Sequence, residues 1–457
     1  MKCYDLIVLG SGPGGQRAAV QAAKLGKSCL LIEKDEFGGA CLHTATIPSK
    51  TIKEALAQLC QTEGVLPVDF MEPLMQRKSA VIAAEMEVVK SQLLRNKVEC
   101  VQGLGRFAGT HEIEVLKKDG SSFRVRAEKI ILATGTRPRR PADMHFDEEH
   151  LVDSDSVLNL RRKPESVCVV GAGVVGCEYA SIFAHLGIPV TVIDTRQELL
   201  KGVDREVVAQ LQKKLESMNV RFLLGQEFEN PKLVGDRVHI KRGSQQLNFD
   251  LTLYCMGRVG NVESLDLDKV GLRTTSRGNI EVNKYFQTTV PHVYAVGDLI
   301  GSPALAAAAF EQGRLAALHA FGFESPGFPE LFPYGIYTIP EISSVGFEEI
   351  DLQKKGIPYV TGRARFSELA RGKILGDQEG LLKLLFHKET AKLLGVHIIG
   401  TQATELVHIG QVALSFEADL HHLLRLVFNY PTLAEAYKVA CLHAANQLRH
   451  LPASPIV

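Results

Sequence analysis

The 457-residue chain has no surplus of either charge: 52 Lys and Arg stand against 52 Asp and Glu, giving a formal net charge of zero. Such a chain has no global field to draw nucleic acid or an anionic membrane, and no Lys/Arg block offers a binding arm. No apolar run reaches the roughly 18–20 residues needed to span a bilayer. The nine cysteines lack CxxC spacing, which argues against a structural zinc site or a disulfide framework, so no metal is expected. The N-terminus enters a strand-like run at once, with Asp5 inside it, unlike a secretory or transit leader. These features read as a cytoplasmic protein with reduced thiols.

Two strand–glycine-loop–helix patterns stand out instead. Gly10-Ser11-Gly12-Pro13-Gly14-Gly15 follows Leu6-Ile7-Val8-Leu9, and Gly171-Ala172-Gly173-Val174-Val175-Gly176 follows Val167-Cys168-Val169-Val170. In such a loop the first glycine (Gly10, Gly171) makes the tight turn. The second (Gly12, Gly173) lets backbone approach a pyrophosphate, and the third (Gly15, Gly176) lets helix pack close to strand. The pyrophosphate then meets free amides and the positive end of the helix dipole. Each pattern leads to a second strand ending in an acid, Glu33 or Asp194, about 20 residues on, where a ribose hydroxyl needs an acceptor. One such pattern is weak evidence; two complete ones predict two dinucleotide crevices.

The rest of the chain falls into segments. Residues around 50–95 read as helical and 110–131 as strands, closing on Ile130-Ile131-Leu132-Ala133-Thr134-Gly135. Tyr294-Ala295-Val296-Gly297-Asp298 reads as a buried strand that returns to the first domain. From about Leu331 the pattern predicts strands and two helices. Cys168, Cys177 and Cys255 lie in stretches that read as buried core. Thr432-x-x-Glu435 fits a helix capping box.

Together GSGPGG at 10–15, GGACLHTATIPSK at 38–50, ATGTRP at 133–138, GAGVVGCE at 171–178, Gly257-Arg258 with Asn261, YAVGD at 294–298 and FNYPTLAEAY at 428–437 resemble the flavin-dependent pyridine nucleotide-disulfide oxidoreductases. The resemblance covers nearly the whole chain. It implies an α/β fold: two Rossmann-like dinucleotide-binding domains plus a C-terminal α+β dimerisation domain. FAD is implied for a discontinuous domain, 1–145 with 276–328, and NAD(P)H for 146–275. Residues 329–457 are then the interface of a homodimer or higher oligomer. Cofactor contacts are implied for Cys41, Thr46, Thr134, Gly135, Gly257, Gly297 and Asp298 beside the loop residues already named. Lys50 is implied to lie at the flavin N5, held by Glu178 in the first turn of the second loop's helix.

Two departures from that family agree with each other. The dithiol reductases carry CxxxxCIPSK; here the segment runs from Cys41 to Thr46-Ile47-Pro48-Ser49-Lys50. A threonine hydroxyl can neither form a disulfide nor serve as a thiolate. The His-Pro-Thr segment that lends those thiols a base is Tyr430-Pro431-Thr432, and a phenol of pKa about 10 is a poor base at neutral pH. Without a dithiol, the chain is similar to the soluble transhydrogenase branch, in GIYTIPEISSVG at 335–346 and FNYPTLAEAYKVA at 428–440. That branch implies FAD-dependent ping-pong hydride transfer between NAD(H) and NADP(H) through one nicotinamide pocket. Asp194 suits the ribose 2′-OH of NAD, and Arg196, two residues on and on the same side, suits the 2′-phosphate of NADP. The alternatives are an NAD(P)H:quinone or dye reductase, a non-catalytic flavin- and nucleotide-binding protein, or a disulfide reductase using a remote cysteine. Cys41 reads as a packed remnant or a sulfenate-forming thiol.

Overall fold

The computed structural model describes residues 1–63, 71–324 and 327–448. The chain divides into two compact units, Met1–Lys163 with Cys255–Phe328, and Pro164–Tyr254 with Pro329–Val457.

In the first unit the strands Glu99–Gln102, Cys29–Glu33, Lys2–Leu9 and Ser122–Leu132 lie side by side in that order, all parallel. Val293–Ala295 pairs in parallel with the end of Ser122–Leu132, so the run at 294 does return to this sheet. The first half of Ser122–Leu132 pairs antiparallel with Glu112–Leu116, which pairs with Leu104–Gly109. The strands are continuously apolar because both faces are covered. Alternate residues point to opposite faces. Ile7, Leu9, Leu30, Ile130 and Leu132 enter one core, with Phe107 and Leu265. Leu6, Val8, Leu31 and Ile131 enter the other, under helices Pro13–Lys24 and Ala306–Ala320. Those helices cross at glycine: a Cβ on Gly313 would lie 2.0 Å from the Gly14 carbonyl oxygen. The expected helical stretch is Thr46–Glu63 and Met71–Arg95; residues 64–70 lie outside the described residues.

The second unit repeats the pattern. Val220–Leu224, Val190–Asp194, Val167–Val170 and Leu251–Tyr254 form parallel pairs in that order. Helices Val174–His185 and Arg205–Ser217 belong to these βα units, and an antiparallel meander spans Lys232–Phe249. The remainder is an antiparallel sheet ordered Tyr334–Ile336, Glu341–Gly346, Leu393–Gly400, Leu381–His387, Tyr359–Arg365. Helices Ala403–Ser415, Leu420–Arg425 and Glu435–Leu448 supply its core.

Some expectations need correction. The last region has five helices among the described residues rather than two. Glu349–Lys355, Ala370–Leu375 and Leu420–Arg425 are under two turns long, too short to show helical periodicity. Cys168 and Cys177 are buried, but Cys255 is only partly so, being one residue past the strand Leu251–Tyr254. The capping box is half formed. The Thr432 amide donates to Glu435 Oε2 at 3.3 Å, while the Thr432 hydroxyl donates to the Asn429 carbonyl instead. Glu178 is the fifth residue of its helix, just past the first turn where it was expected.

Candidate active site: two glycine loops and their acids

The first loop is built around Glu33. Its Oε2 accepts from the Ser11 amide at 2.8 Å and the Ser11 hydroxyl at 2.7 Å, and its Oε1 from the Asp35 amide. The acid thus ties the strand end to the loop, and the unused capacity of Oε1 is left for a ligand hydroxyl. A Cβ on Gly15 would lie 1.9 Å from the Gly10 carbonyl oxygen, which fixes glycine at the close helix–strand contact. A Cβ on Gly12 would meet nothing within 4 Å. Space therefore opens over the one glycine that a pyrophosphate has to approach, at the N-terminus of Pro13–Lys24. The cradle fits a dinucleotide. Ser11 was missed as a site residue; its place between two loop glycines, next to a strand-end acid, was the available signal.

The far wall of this unit carries a polar chain. Arg258 Nε donates to Thr136 Oγ1 at 2.9 Å, Thr136 Oγ1 donates to Asp298 Oδ2 at 3.3 Å, and Arg258 Nη1 reaches Asp155 at 3.3 Å. Burial pushes the Asp298 carboxyl up, against the pull of Arg258 and Thr136. Thr134 and Asn261 exchange hydrogen bonds, Thr134 Oγ1 to the Asn261 carbonyl at 2.8 Å and Asn261 Nδ2 to the Thr134 carbonyl at 2.9 Å. Gln312 Oε1 accepts from the Gly297 amide at 2.8 Å. The backbone at Gly135, Gly257 and Gly297 is left-handed, with φ of 64°, 97° and 73°. Gln312 had no sequence signal, since its partner is remote in the chain; Thr136 lay within ATGTRP at 133–138, but its partners Arg258 and Asp298 did not show there.

Cys41 and Thr46 are brought together at the start of helix Thr46–Glu63, close enough for the Thr46 hydroxyl to favour the Cys41 thiolate. Burial raises the Cys41 thiol and Asp298 adds to that, outweighing Thr46 and Lys50, so the thiol is protonated at neutral pH. His43 Nε2 bonds the Phe37 carbonyl at 2.9 Å. Lys50 Nζ lies 3.4 Å from the Ser49 hydroxyl.

In the second loop the acid and the arginine hold each other. Asp194 Oδ2 accepts from the Ala172 amide at 2.7 Å and from Arg196 Nη2 at 2.6 Å; Oδ1 accepts from the Arg196 amide at 2.8 Å and Nε at 3.1 Å. The Asp194 side chain is fully buried and that of Arg196 is 44% exposed. Burial alone would raise the Asp194 carboxyl; Arg196 and the two amides win and hold it below the usual carboxylate value. Arg196 Nη2 is 3.8 Å from where a Cβ on Gly173 would sit, so the guanidinium borders the pyrophosphate loop. Both residues were expected on one side of the strand end, the acid for the ribose hydroxyl and the arginine for the 2′-phosphate. The spacing brings them to one place, and their attraction joins them until a ligand competes. Glu178 Oε1 accepts from the Tyr337 amide at 2.8 Å, and Ser181 Oγ from the Ile339 amide at 3.1 Å, which docks residues 337–339 on this helix.

The sequence model described as pyridine nucleotide-disulphide oxidoreductase matches residues 4–313, and its dimerisation domain matches 332–441. The chain belongs to the pyridine nucleotide-disulphide oxidoreductase family. It is similar to the soluble pyridine nucleotide transhydrogenase of Mycobacterium tuberculosis (strain ATCC 25177 / H37Ra), 46% identical over 99% of both chains. The protein of that name from Pseudomonas putida (strain KT2440) is 41% identical, over 97% of this chain and 99% of its own. Among solved structures, the flavoprotein disulfide reductase RclA of Escherichia coli, as its Cu(II) complex, superposes with a TM-score of 0.90 at 24% identity, over 97% of this chain and 99% of its own. LpdA of M. tuberculosis superposes with 0.89 at 24% identity, over 97% and 99%. At that identity these two show the shared fold. Membership makes the protein a flavoprotein oxidoreductase of pyridine nucleotides, with a dimerisation domain at its C-terminal end. Among the described residues no helix is long and apolar enough to cross a membrane.

Proposed function

We propose that this protein is a soluble transhydrogenase, exchanging hydride between NAD(H) and NADP(H) through FAD in a ping-pong cycle. The observation that carries the reading is Thr46, which stands at the position where the family's reductases carry their second cysteine, beside a Cys41 thiol that burial keeps protonated. No thiol pair there can take electrons onward, and the curated relatives named above are called transhydrogenases. FAD, when bound in the first cradle, supplies a reversible two-electron hydride store.

The chain's own residues then have these tasks. Residues 1–145 with 276–328 hold FAD through Gly10, Gly12, Gly15, Glu33, Thr134, Gly135, Gly297 and Asp298. Cys41 and Thr46 fill the space beside the ring system. One nicotinamide nucleotide at a time is held through Gly171, Gly173, Gly176, Asp194 and Arg196. Lys50 favours negative charge on the ring system by electrostatics. Residues 329–457 pair two subunits, and exposed Val412, Phe416 and Val427 are the apolar side chains a partner covers. Replacing Lys50 with Met should slow flavin bleaching by NADH in stopped-flow mixing; an unchanged rate rejects its role.

The decisive assay is anaerobic. The yellow protein is reduced with NADPH, freed of nucleotide, and mixed with a thio-analogue of NAD. Flavin reoxidation with stoichiometric reduced analogue supports the reading. A flavin that stays reduced points to another acceptor, such as a quinone.

A further inference from the structure

A cavity of about 660 Å³ lies in the first unit, between the strand Thr136–Pro138 with the residues after it, the strand Arg258–Gly260 and the turn at Ser276–Gly278. Arg137, Arg139, Arg140 and Arg277 line it, with Ser276 and the acids Asp153, Asp155 and Glu263; no residue of either glycine loop does. Each acid already has a cation. Both terminal nitrogens of Arg137 bond Glu263. Arg140 Nε bonds Asp153 at 2.7 Å and its Nη2 bonds Glu148 at 2.6 Å. Asp155 is met by Arg258 at 3.3 Å.

Arg139 and Arg277 are different. Among the described residues, neither side chain has a hydrogen-bond or ion-pair partner. Their backbone is nevertheless fixed. The Arg139 amide donates to the Gly257 carbonyl at 3.0 Å, and the Arg277 carbonyl accepts from the Gly260 amide at 3.0 Å. The turn is docked so closely that a Cβ on Gly260 would lie 2.2 Å from the Gly278 oxygen. Two uncompensated guanidinium groups thus line one concave space from anchored backbone, with Ser276 also on its wall.

We propose that this cavity binds a small phosphorylated anion, at a site separate from both dinucleotide crevices. Guanidinium forks match phosphate oxygens bidentately, and about 660 Å³ falls in the usual range of small-ligand pockets. The paired acids cancel the paired arginines, so recognition rests on Arg139 and Arg277. A ligand with two anionic groups engages both.

The test is calorimetric titration of FAD-loaded enzyme, saturated with NAD⁺ to fill the nucleotide crevice, with inorganic pyrophosphate and separately with ADP. Saturable binding is expected, weakened about tenfold or more in Arg139→Ala/Arg277→Ala and partly restored in Arg139→Lys/Arg277→Lys. Tighter binding of ADP assigns a nucleotide; tighter binding of pyrophosphate assigns a non-nucleotide phosphate. Absence of binding at millimolar concentration overturns the proposal. So does an alanine double variant with wild-type melting temperature and wild-type affinity. Loss of the isotherm in Arg196→Ala would place the anion in the nucleotide crevice instead and also overturn it.

Discussion

Replacing Arg196 with Ala tests how one crevice serves two nucleotides. The guanidinium borders the Gly173 loop and pairs with Asp194, with contacts of 2.6 and 3.1 Å. A 2′-phosphate competes for it, and a charge-assisted hydrogen bond contributes roughly 1.5–3 kcal/mol. Because the Arg196 side chain is 44% exposed, solvent screening favours the lower end. About 1.5 kcal/mol corresponds to roughly a tenfold weaker NADP(H). NAD(H) should respond differently. Asp194 keeps the amides of Ala172 and residue 196, at 2.7 and 2.8 Å, since both are backbone. Its carboxylate therefore stays ionised and becomes more available to a ribose hydroxyl. The assay is steady-state kinetics with a dye acceptor, with KM and kcat determined for NADPH and NADH at low ionic strength, where screening is weakest. The predicted result is a rise in KM for NADPH with NADH unchanged or improved. Equal loss for both nucleotides, or a loss confined to NADH, would refute the reasoning.

Three further outcomes follow from the same geometry. Lys383, with no exposed side chain, meets Asp204 at 2.8 Å, Glu349 at 2.7 Å and Glu206 at 3.2 Å, so Lys383→Met takes the lysine from the buried Asp204, while Glu206 keeps Arg363, and should lower stability by about 3 kcal/mol in urea unfolding; a wild-type midpoint would contradict this. Burial tends to raise Asp204 and Glu206, but His397 and Lys383 at the first, and Arg363 and Lys383 at the second, hold both below their ordinary values. Their contribution is therefore present above about pH 4 and lost as pH falls through the depressed values; urea midpoints from neutral to acid pH should drop, and less so in Lys383→Met. Because burial keeps the Cys41 thiol protonated, Cys41→Ala should retain turnover and the activity of wild-type protein should resist iodoacetamide at neutral pH, even as exposed Cys3 is alkylated; rapid alkylation of Cys41 with loss of activity would argue for a redox thiol.

The glycine loops, their acids and the parallel strands were legible because their causes are local. A tight turn, a close backbone approach and an apolar run each leave a mark within a few residues. The return of Val293–Ala295 to the first sheet was legible for the same reason, as a short buried strand ending in Gly-Asp. What stayed hidden depends on residues far apart. Nothing in Leu381-Leu382-Lys383-Leu384-Leu385 says that its lysine lies among carboxylates from residues 204, 206 and 349. Arg196 and Asp194 were placed together by spacing, yet their mutual pairing is an energetic outcome that spacing does not decide. Thr432 shows the converse: a local capping pattern was present, and a competing carbonyl at Asn429 took its hydroxyl. Glu178 was marked by its place in the second loop's helix, but its bond to the Tyr337 amide comes from a segment over a hundred residues on.

The central claim is that flavin is the only electron store of this chain, with Thr46 ending the path toward sulfur. Anaerobic titration of the holoprotein with dithionite measures this directly. The account predicts about two electrons taken up per bound FAD, as a flavin alone stores. Uptake of about four would reveal a reducible disulfide in series with the flavin and contradict it.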